Sequence, residues 1–242
     1  MGYSNRIEDV LDKHKGKTAY VCALGPSLKD YLNKIYENSN DKIIITCSDF
    51  DKMTNLSPDY WVWSNSHHTI KAINETINKF PNTTVVHADS VDTTPIGWIK
   101  EEFIGNYIGY DQRHFDNSKC IHCPNSCANF IEGRKTIQEI LQNYTNNEKR
   151  YGSGCTVAVH MVALAIILGC KKIYLFGCDL DYSLGYVDGL TTNSDSFSPW
   201  AQYIIEDFKV IYESSKKIGV EVYNMGYESM ISSIMPKSDN IN

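Results

Sequence analysis

The sequence predicts an α/β fold: a Rossmann-like three-layer sandwich, with helices on both faces of a mostly parallel sheet and an irregular insertion. Two observations carry that prediction. Short apolar runs rich in Val, Ile and Tyr alternate along the chain with longer segments whose apolar residues recur at helical spacing. Strands separated by helices in this way form parallel sheets covered on both sides. The chain is also long enough, at 242 residues with 42% hydrophobic and 21% charged, to bury one large core.

The elements follow in order. "TAYVCAL" reads as a first strand, and "SLKDYLNKIYEN" as a helix with Leu28, Leu32 and Ile35 on one face. "KIIITC" is a short buried strand and "YWVWS" another, followed by the helical "HHTIKAINETINKF". "TTVVHAD" makes a fourth strand. "CTVAVHMVALAIILG" is an apolar helix, too short to cross a membrane, ending at Gly169 as helices often end at glycine. "KKIYLFGCD" is a fifth strand, "PWAQYIIEDFKVIYESSKKIG" a long amphipathic helix, and "VEVYNM" a last strand. Residues 1–242 are expected to form a single domain. Residues 90–130 break the pattern with glycines, aromatics and polar residues in no clear period. An insertion of that length in a compact domain is usually functional, as a lid or a metal-stapled loop.

Composition narrows the function. The formal net charge of −6 argues against a nucleic-acid backbone as partner. "MGYSNRIEDVLDKHKGK" lacks the apolar stretch of a signal peptide, and no run of 18 apolar residues occurs, so the expected compartment is the cytoplasm. Eight cysteines in such a chain point to reduced thiols or a metal rather than a disulfide scaffold. Only four arginines occur, which makes Arg113, Arg134 and Arg150 candidates for holding a carboxylate or phosphate.

In open parallel sheets ligands bind beyond the carboxyl ends of the strands. The residues expected there are Gly25-Pro26-Ser27, Ser48-Asp49, Ser64 to His68, His87 to Asp89, and Gly177 to Asp181, all small, polar or titratable. Gly25-Pro26-Ser27 suits either a helix cap or a turn that offers free N–H groups to a phosphate. Gly152 to Thr156, with Gly154 and Cys155 before the apolar helix, offers a second such turn. Asp179 and Asp181 could hold Mg²⁺ on a diphosphate, or one of them could cap a turn. His160, inside the apolar helix, reads as a packing histidine. Cys120, Cys123 and Cys127 with His114 or His122 have the ligand types and spacing of a structural zinc site, with free thiols or an iron–sulfur cluster as other readings. Cys22, Cys47, Cys155, Cys170 and Cys178 sit in apolar contexts and read as small core residues.

"ALGPSL" together with "GCTVAVHMVALAIILGCKKIYLFGCDLDY" resembles a group of related Rossmann-like families. These are the DUF115 or Maf-like proteins, which include flagellin nonulosonic-acid glycosyltransferases, the 6-hydroxymethylpterin pyrophosphokinase-like proteins, and, more distantly, CMP-sialic-acid-dependent sialyltransferases. The resemblance covers about residues 18–57 and 152–182. It implies a nucleotide or nucleotide-sugar donor held by Gly25, Pro26, Ser27, Ser48, Gly154, Cys155, Thr156, Gly177, Asp179 and Asp181. It implies transfer to a hydroxyl acceptor by a glycosyltransferase, with a Mg²⁺-dependent pyrophosphokinase and a non-catalytic nucleotide-binding module as alternatives. The sialyltransferase-like branch uses a histidine base after the "GxD" strand. No histidine follows His160 here, so the base is expected among His67, His68, His87 and Asp49.

Overall fold

The computed structural model describes residues 4–63, 70–88, 105–110, 135–148, 156–180, 201–227 and 229–241. Eight strands form one sheet: β1 (Ser4–Arg6), β2 (Thr18–Cys22), β3 (Lys42–Cys47), β4 (Tyr60–Trp63), β5 (Thr84–Ala88), β6 (Asn106–Tyr110), β7 (Lys172–Phe176) and β8 (Glu221–Asn224). Their order is β1-β6-β5-β4-β3-β2-β7-β8. Every pairing is parallel. The chain therefore steps outward from β2 through β3, β4 and β5 to β6, then returns to place β7 on the other side of β2. The topology reverses between β2 and β7, and a fold of this kind leaves its ligand crevice there. The predicted Rossmann-like sandwich is the architecture found.

The period of two along each strand sorts side chains between the faces. Ala19, Val21, Ile43, Ile45, Ile173 and Leu175 join the core under helices α3 (Ile137–Thr145), α4 (Val157–Ile167) and α5 (Ala201–Lys217). On the opposite face Tyr20, Cys22, Ile44, Tyr174 and Phe176 pack with Leu28 and Phe50 and with Ile35 of helix α1 (Leu32–Glu37). Trp61, Trp63, Val85 and Tyr107 pack there with Ile77 of helix α2 (Ile70–Lys79). Parallel strands buried on both sides account for the uninterrupted apolar runs that mark them in the sequence.

Helix α4 is apolar on every side because it lies inside the molecule. Ala158 through Ile167 are all buried. A buried helix end needs partners for its last carbonyls, and the loop before β2 supplies them. The backbone N–H groups of Asp12, His14 and Gly16 donate to the carbonyls of Ile167, Leu168 and Gly169 at 2.9, 2.7 and 2.9 Å. Gly169 takes φ +80°, and a Cβ there would lie 2.7 Å from Asp12 Oδ1, so only glycine fits this junction. Asp12 Oδ1 also accepts a hydrogen bond from Tyr144 Oη at 2.9 Å.

His160 lies in the middle of α4, fully buried. Its Nε2 is 3.1 Å from Gln138 Nε2 and its Nδ1 is 3.0 Å from Tyr110 Oη. With the amide donating to Nε2, the proton sits on Nδ1 and is donated to the phenol. The ring braces α3, α4 and β6 together, which fits the packing role expected for it.

Three elements differ from the sequence reading. The stretch from Ser27 is two short pieces, a 3₁₀ turn over Pro26–Asp30 and then α1, divided at Tyr31. Within residues 90–130, read as irregular, Asn106–Tyr110 is a strand between β5 and β1. Helix α3 opens with a capping box, Thr136 Oγ1 accepting from the Glu139 N–H while the Glu139 carboxylate accepts from the Thr136 N–H.

His14 Nε2 lies 2.8 Å from Tyr60 Oη beneath the sheet. Burial first, and Lys13 second, hold the His14 imidazole below its ordinary value of 6.5. A proton therefore binds the unfolded chain more tightly than the fold. The stability tied to this group is complete above 6.5 and is lost as pH falls through the lowered value. Urea midpoints measured from pH 8 to pH 5 should fall on acidification in the native protein, and the His14→Gln protein should show a shallower fall.

Candidate functional site

The carboxyl ends of β2, β7 and β8 are joined into one hydrogen-bonded shelf. The β2–β7 pairing continues past the strands, with Ala23 N donating to Phe176 O at 2.9 Å and Gly25 N to Gly177 O at 2.7 Å. On the far side Met225 N donates to Leu175 O at 2.8 Å. The three turns at the topological switch point are thus held edge to edge.

Asp179 closes this arrangement. The residue is 3% exposed. Oδ2 accepts from the Ser27 N–H at 2.9 Å, and Oδ1 accepts from the Tyr227 N–H at 3.0 Å. One side chain therefore ties the turn after β2 and the turn after β8 to its own turn after β7. Charge-assisted bonds to backbone N–H groups are about twice as strong as neutral ones.

The glycines follow from the crowding around that carboxylate. Gly25 has an ordinary extended backbone, yet a Cβ on it would fall 2.5 Å from both Asp179 Oδ2 and Gly177 O. At Gly226 a Cβ would fall 2.8 Å from Asp179 Oδ1. Gly177 takes φ +65°. Asn224 shapes the third turn, its Oδ1 accepting from the Gly226 N–H at 3.1 Å. Pro26 is the first residue of the 3₁₀ turn, where its missing N–H costs nothing. The Ser27 hydroxyl is fully buried, and no hydrogen-bond partner for it occurs among the described residues.

The backbone is strained along the same edge. Ser48 and Leu180 adopt φ +44° and +53°, a region that costs side-chain-bearing residues about 1–3 kcal/mol. Trp61 Nε1 donates to the Ser48 carbonyl at 2.8 Å and holds that turn in place. Asp49 beside it pairs with Lys52 at 2.9 Å.

The remaining candidates fall in different places. Thr156 is the N-cap of α4, its Oγ1 accepting from the Ala158 N–H at 3.4 Å. His87 is buried in β5. That strand is three places from β2 in the sheet, about 14 Å at the usual strand spacing. His67, His68, Gly154, Cys155, Asp181, Arg113, Arg134, Arg150 and the zinc set Cys120, Cys123, Cys127 and His114 or His122 lie outside the described residues. Cys22, Cys47, Cys170 and Cys178 are buried free thiols, and burial raises the pKa of each, as suits core residues.

The sequence reading brought Gly25, Ser27, Gly177 and Asp179 to one edge, and the structure places them in contact. It missed Asn224, Gly226 and Tyr227. The signal available was the "YNMGY" turn after a terminal strand, but nothing local says that its N–H groups serve a carboxylate 48 residues earlier.

Two substitutions test the shelf. Gly25→Ala should destabilise the protein by about 1–3 kcal/mol, because rigid backbone and a buried carboxylate meet the new methyl group. Asp179→Asn should cost about 1–3 kcal/mol, since the amide can present its oxygen to only one of the two N–H groups. Chemical denaturation midpoints of both proteins measure this.

Residues 2–185 match the family model described as 6-hydroxymethylpterin diphosphokinase MptE-like. Among solved structures, the sialyltransferase CstII from Campylobacter jejuni in complex with the substrate analogue CMP-3FNeuAc is similar with a TM-score of 0.55 and 18% identity, over 93% of this chain and 88% of that one. The same enzyme in complex with cytidine-5'-monophosphate gives a TM-score of 0.53 and 17% identity, over 94% of this chain and 89% of that one. At this identity the likeness is one of fold. No curated protein matches the sequence. Because the family model spans most of the chain, from its amino terminus through β7 and the Asp179 turn, this chain belongs to the MptE-like family.

Proposed function

We propose that the protein is a transferase that binds a nucleotide-activated donor over the carboxyl ends of β2 and β7, and that the transferred group is a sugar, with a CMP-activated nonulosonic acid as the donor. The observation that carries this reading is the shelf at the topological switch point, where one buried carboxylate fixes three turns. The Gly25 and Ser27 N–H groups, expected as free donors, are bonded to Gly177 O and Asp179 Oδ2, so this edge would meet the donor as a rigid wall of backbone and not as a ring of free N–H groups. The strained turns at Ser48 and Leu180 lie along the same edge, where strain that persists is usually functional. The neighbours of like fold are sialyltransferases solved with CMP or a CMP-sugar analogue, which supports cytosine as the base.

In this reading Gly25, Pro26, Ser27 and Gly177 line the phosphate side, with Ser48, Gly154, Cys155 and Thr156 around the rest of the donor. Asp179 holds the shelf in shape. Transfer forms a bond from the acceptor oxygen to the sugar and breaks the bond from sugar to phosphate, so CMP leaves and the acceptor proton passes to a base. His67 and His68 follow β4 and are the first candidates for that base, ahead of Asp49, which is paired with Lys52, and His87, which is buried far along the sheet.

Family membership favours a second reading, a Mg²⁺-dependent diphosphokinase acting on a pterin alcohol. There Asp179 and Asp181 would hold the metal. Both Asp179 oxygens already accept backbone N–H groups and are walled by Gly25 and Gly226, which suits positioning better than metal ligation. This favours the metal-independent reaction.

Thermal unfolding with CMP, CDP, UDP, GDP and ATP, each with and without Mg²⁺, separates the readings. CMP at a hundredfold excess over its Kd should add about 2.7 kcal/mol of stability, roughly 5–10 °C for a chain of this size, with or without the metal. A shift seen only with ATP and Mg²⁺ would assign the diphosphokinase reaction instead. CMP binding with no turnover on any hydroxyl acceptor would leave a nucleotide-binding module.

A further inference from the structure

The edge of the sheet opposite the shelf, where the parallel strands begin, has a charge unlike that of the chain, whose net charge is −6. The loop before β2 is clamped from inside, because the N–H groups of Asp12, His14 and Gly16 reach the last carbonyls at the end of α4. The residues between these anchors turn outward. Leu11, Lys13, Lys15 and Lys17 are exposed, whereas Asp12 and His14 are half-buried. The Lys171 N–H donates to Lys17 O at 2.8 Å, which sets exposed Lys171 and half-buried Lys172 against the same loop. The Glu221 N–H donates to Lys171 O at 2.9 Å, and Lys216 and Lys217 close helix α5 just before it, so the basic stretch extends toward β8.

The acids of this edge are largely occupied by the protein itself. Asp12 accepts from Tyr144 Oη at 2.9 Å and lies 3.5 Å from Lys15 Nζ. Asp59 accepts from the Ile44 N–H at 2.8 Å, and Glu221 from Tyr223 Oη at 2.6 Å. Asp41 is exposed, but it lies on the β3 side of β2, away from β7. Lys17, Lys171 and Lys172 form no ion pair among the described residues. Two residues before Lys13, Leu11 stands 46% exposed. Cations on a firmly anchored loop, with a large apolar side chain among them, match the two layers of a lipid surface. Ammonium groups pair with headgroups, and an apolar side chain enters the boundary below them.

We propose that this edge docks the protein on an anionic bilayer surface, with Lys13, Lys15, Lys17, Lys171 and Lys172 on the headgroups and Leu11 in the interface. The proposal goes beyond the donor reading and stands whether or not that reading holds. A nucleic acid would use the same charges but would gain nothing from Leu11. The orientation follows from the strands. Strand β2 has five residues, about 17 Å at the rise of a strand, and it carries the shelf at its other end. A docked molecule therefore turns the shelf away from the lipid, toward acceptors in solution.

Co-sedimentation of the full chain with vesicles tests this. Vesicles of phosphatidylcholine and phosphatidylglycerol at about two to one should bind the protein at low salt and release it at about 0.5 M salt, while phosphatidylcholine alone should not bind it. Each lysine near such a surface is worth about fivefold in partitioning, so Lys13→Gln, Lys17→Gln and Lys171→Gln combined should weaken binding about a hundredfold. Lys135→Gln, Lys209→Gln and Lys237→Gln combined remove the same charge elsewhere and should change binding less than about threefold. Leu11→Ser should weaken it about fivefold with the same salt dependence. No preference for the anionic vesicles, or equal losses in the two triple variants, would overturn the proposal. Binding that Leu11→Ser leaves unchanged would overturn the bilayer assignment, and titration with single-stranded RNA would then show whether the edge serves a nucleic acid. Unfolding midpoints matching that of the native protein confirm that the losses concern the surface.

Discussion

The carboxylate of Asp179 is the constraint on which the candidate site depends. Parallel strands leave their turns at one edge as separate loops, each free to move unless something ties it down. Here a single buried side chain accepts the Ser27 and Tyr227 N–H groups and so fixes loops that are 152 and 48 residues away in sequence. A buried charge is costly unless it is satisfied, and the two N–H groups meet that need while losing their own water. The glycines at 25 and 226 are consequences of the same contact, since any side chain there would occupy the space of the carboxylate.

The shelf needs a firm foundation, which the buried helix α4 provides on one face of the sheet. A helix without a polar side can lie only where no water reaches it, and its final carbonyls then have to be met by protein. The loop of residues 12–16 meets them immediately before the chain enters β2. The central strand and the buried helix are therefore tied together below the sheet, while Asp179 ties the turns together above it. Between these two attachments β2 and β7 have little freedom to slide.

The sequence revealed what local physics determines. Strands β2, β3, β4, β5, β7 and β8 were legible because parallel strands buried on both faces are plainly apolar, and α4 because its apolar run ends at Gly169. Strand β6 was hidden: "NYIGY" carries a glycine at its fourth position and stands among polar residues, so its strand character comes from pairing with β5 and β1. Strand β1 is only three residues long, below the length at which alternation can be read. Helix α3 has a readable start in its Thr136–Glu139 capping box, but the residues before it carry no period that separates a helix from the insertion. In the site, Gly25, Ser27, Gly177 and Asp179 were legible as strand-end residues. Their mutual contacts were not, nor was the part played by Tyr227, because each is a tertiary contact between distant segments.

That division bears on the chemistry the family can carry. A site whose core is backbone held in place by one carboxylate asks little of side chains near the phosphate. Only glycine, a small hydroxyl and the anchoring acid are required there. A fold does not by itself fix a chemistry, so the reaction has to be argued from the site. In this chain both Asp179 oxygens are engaged by the backbone, so the anchoring acid acts through geometry.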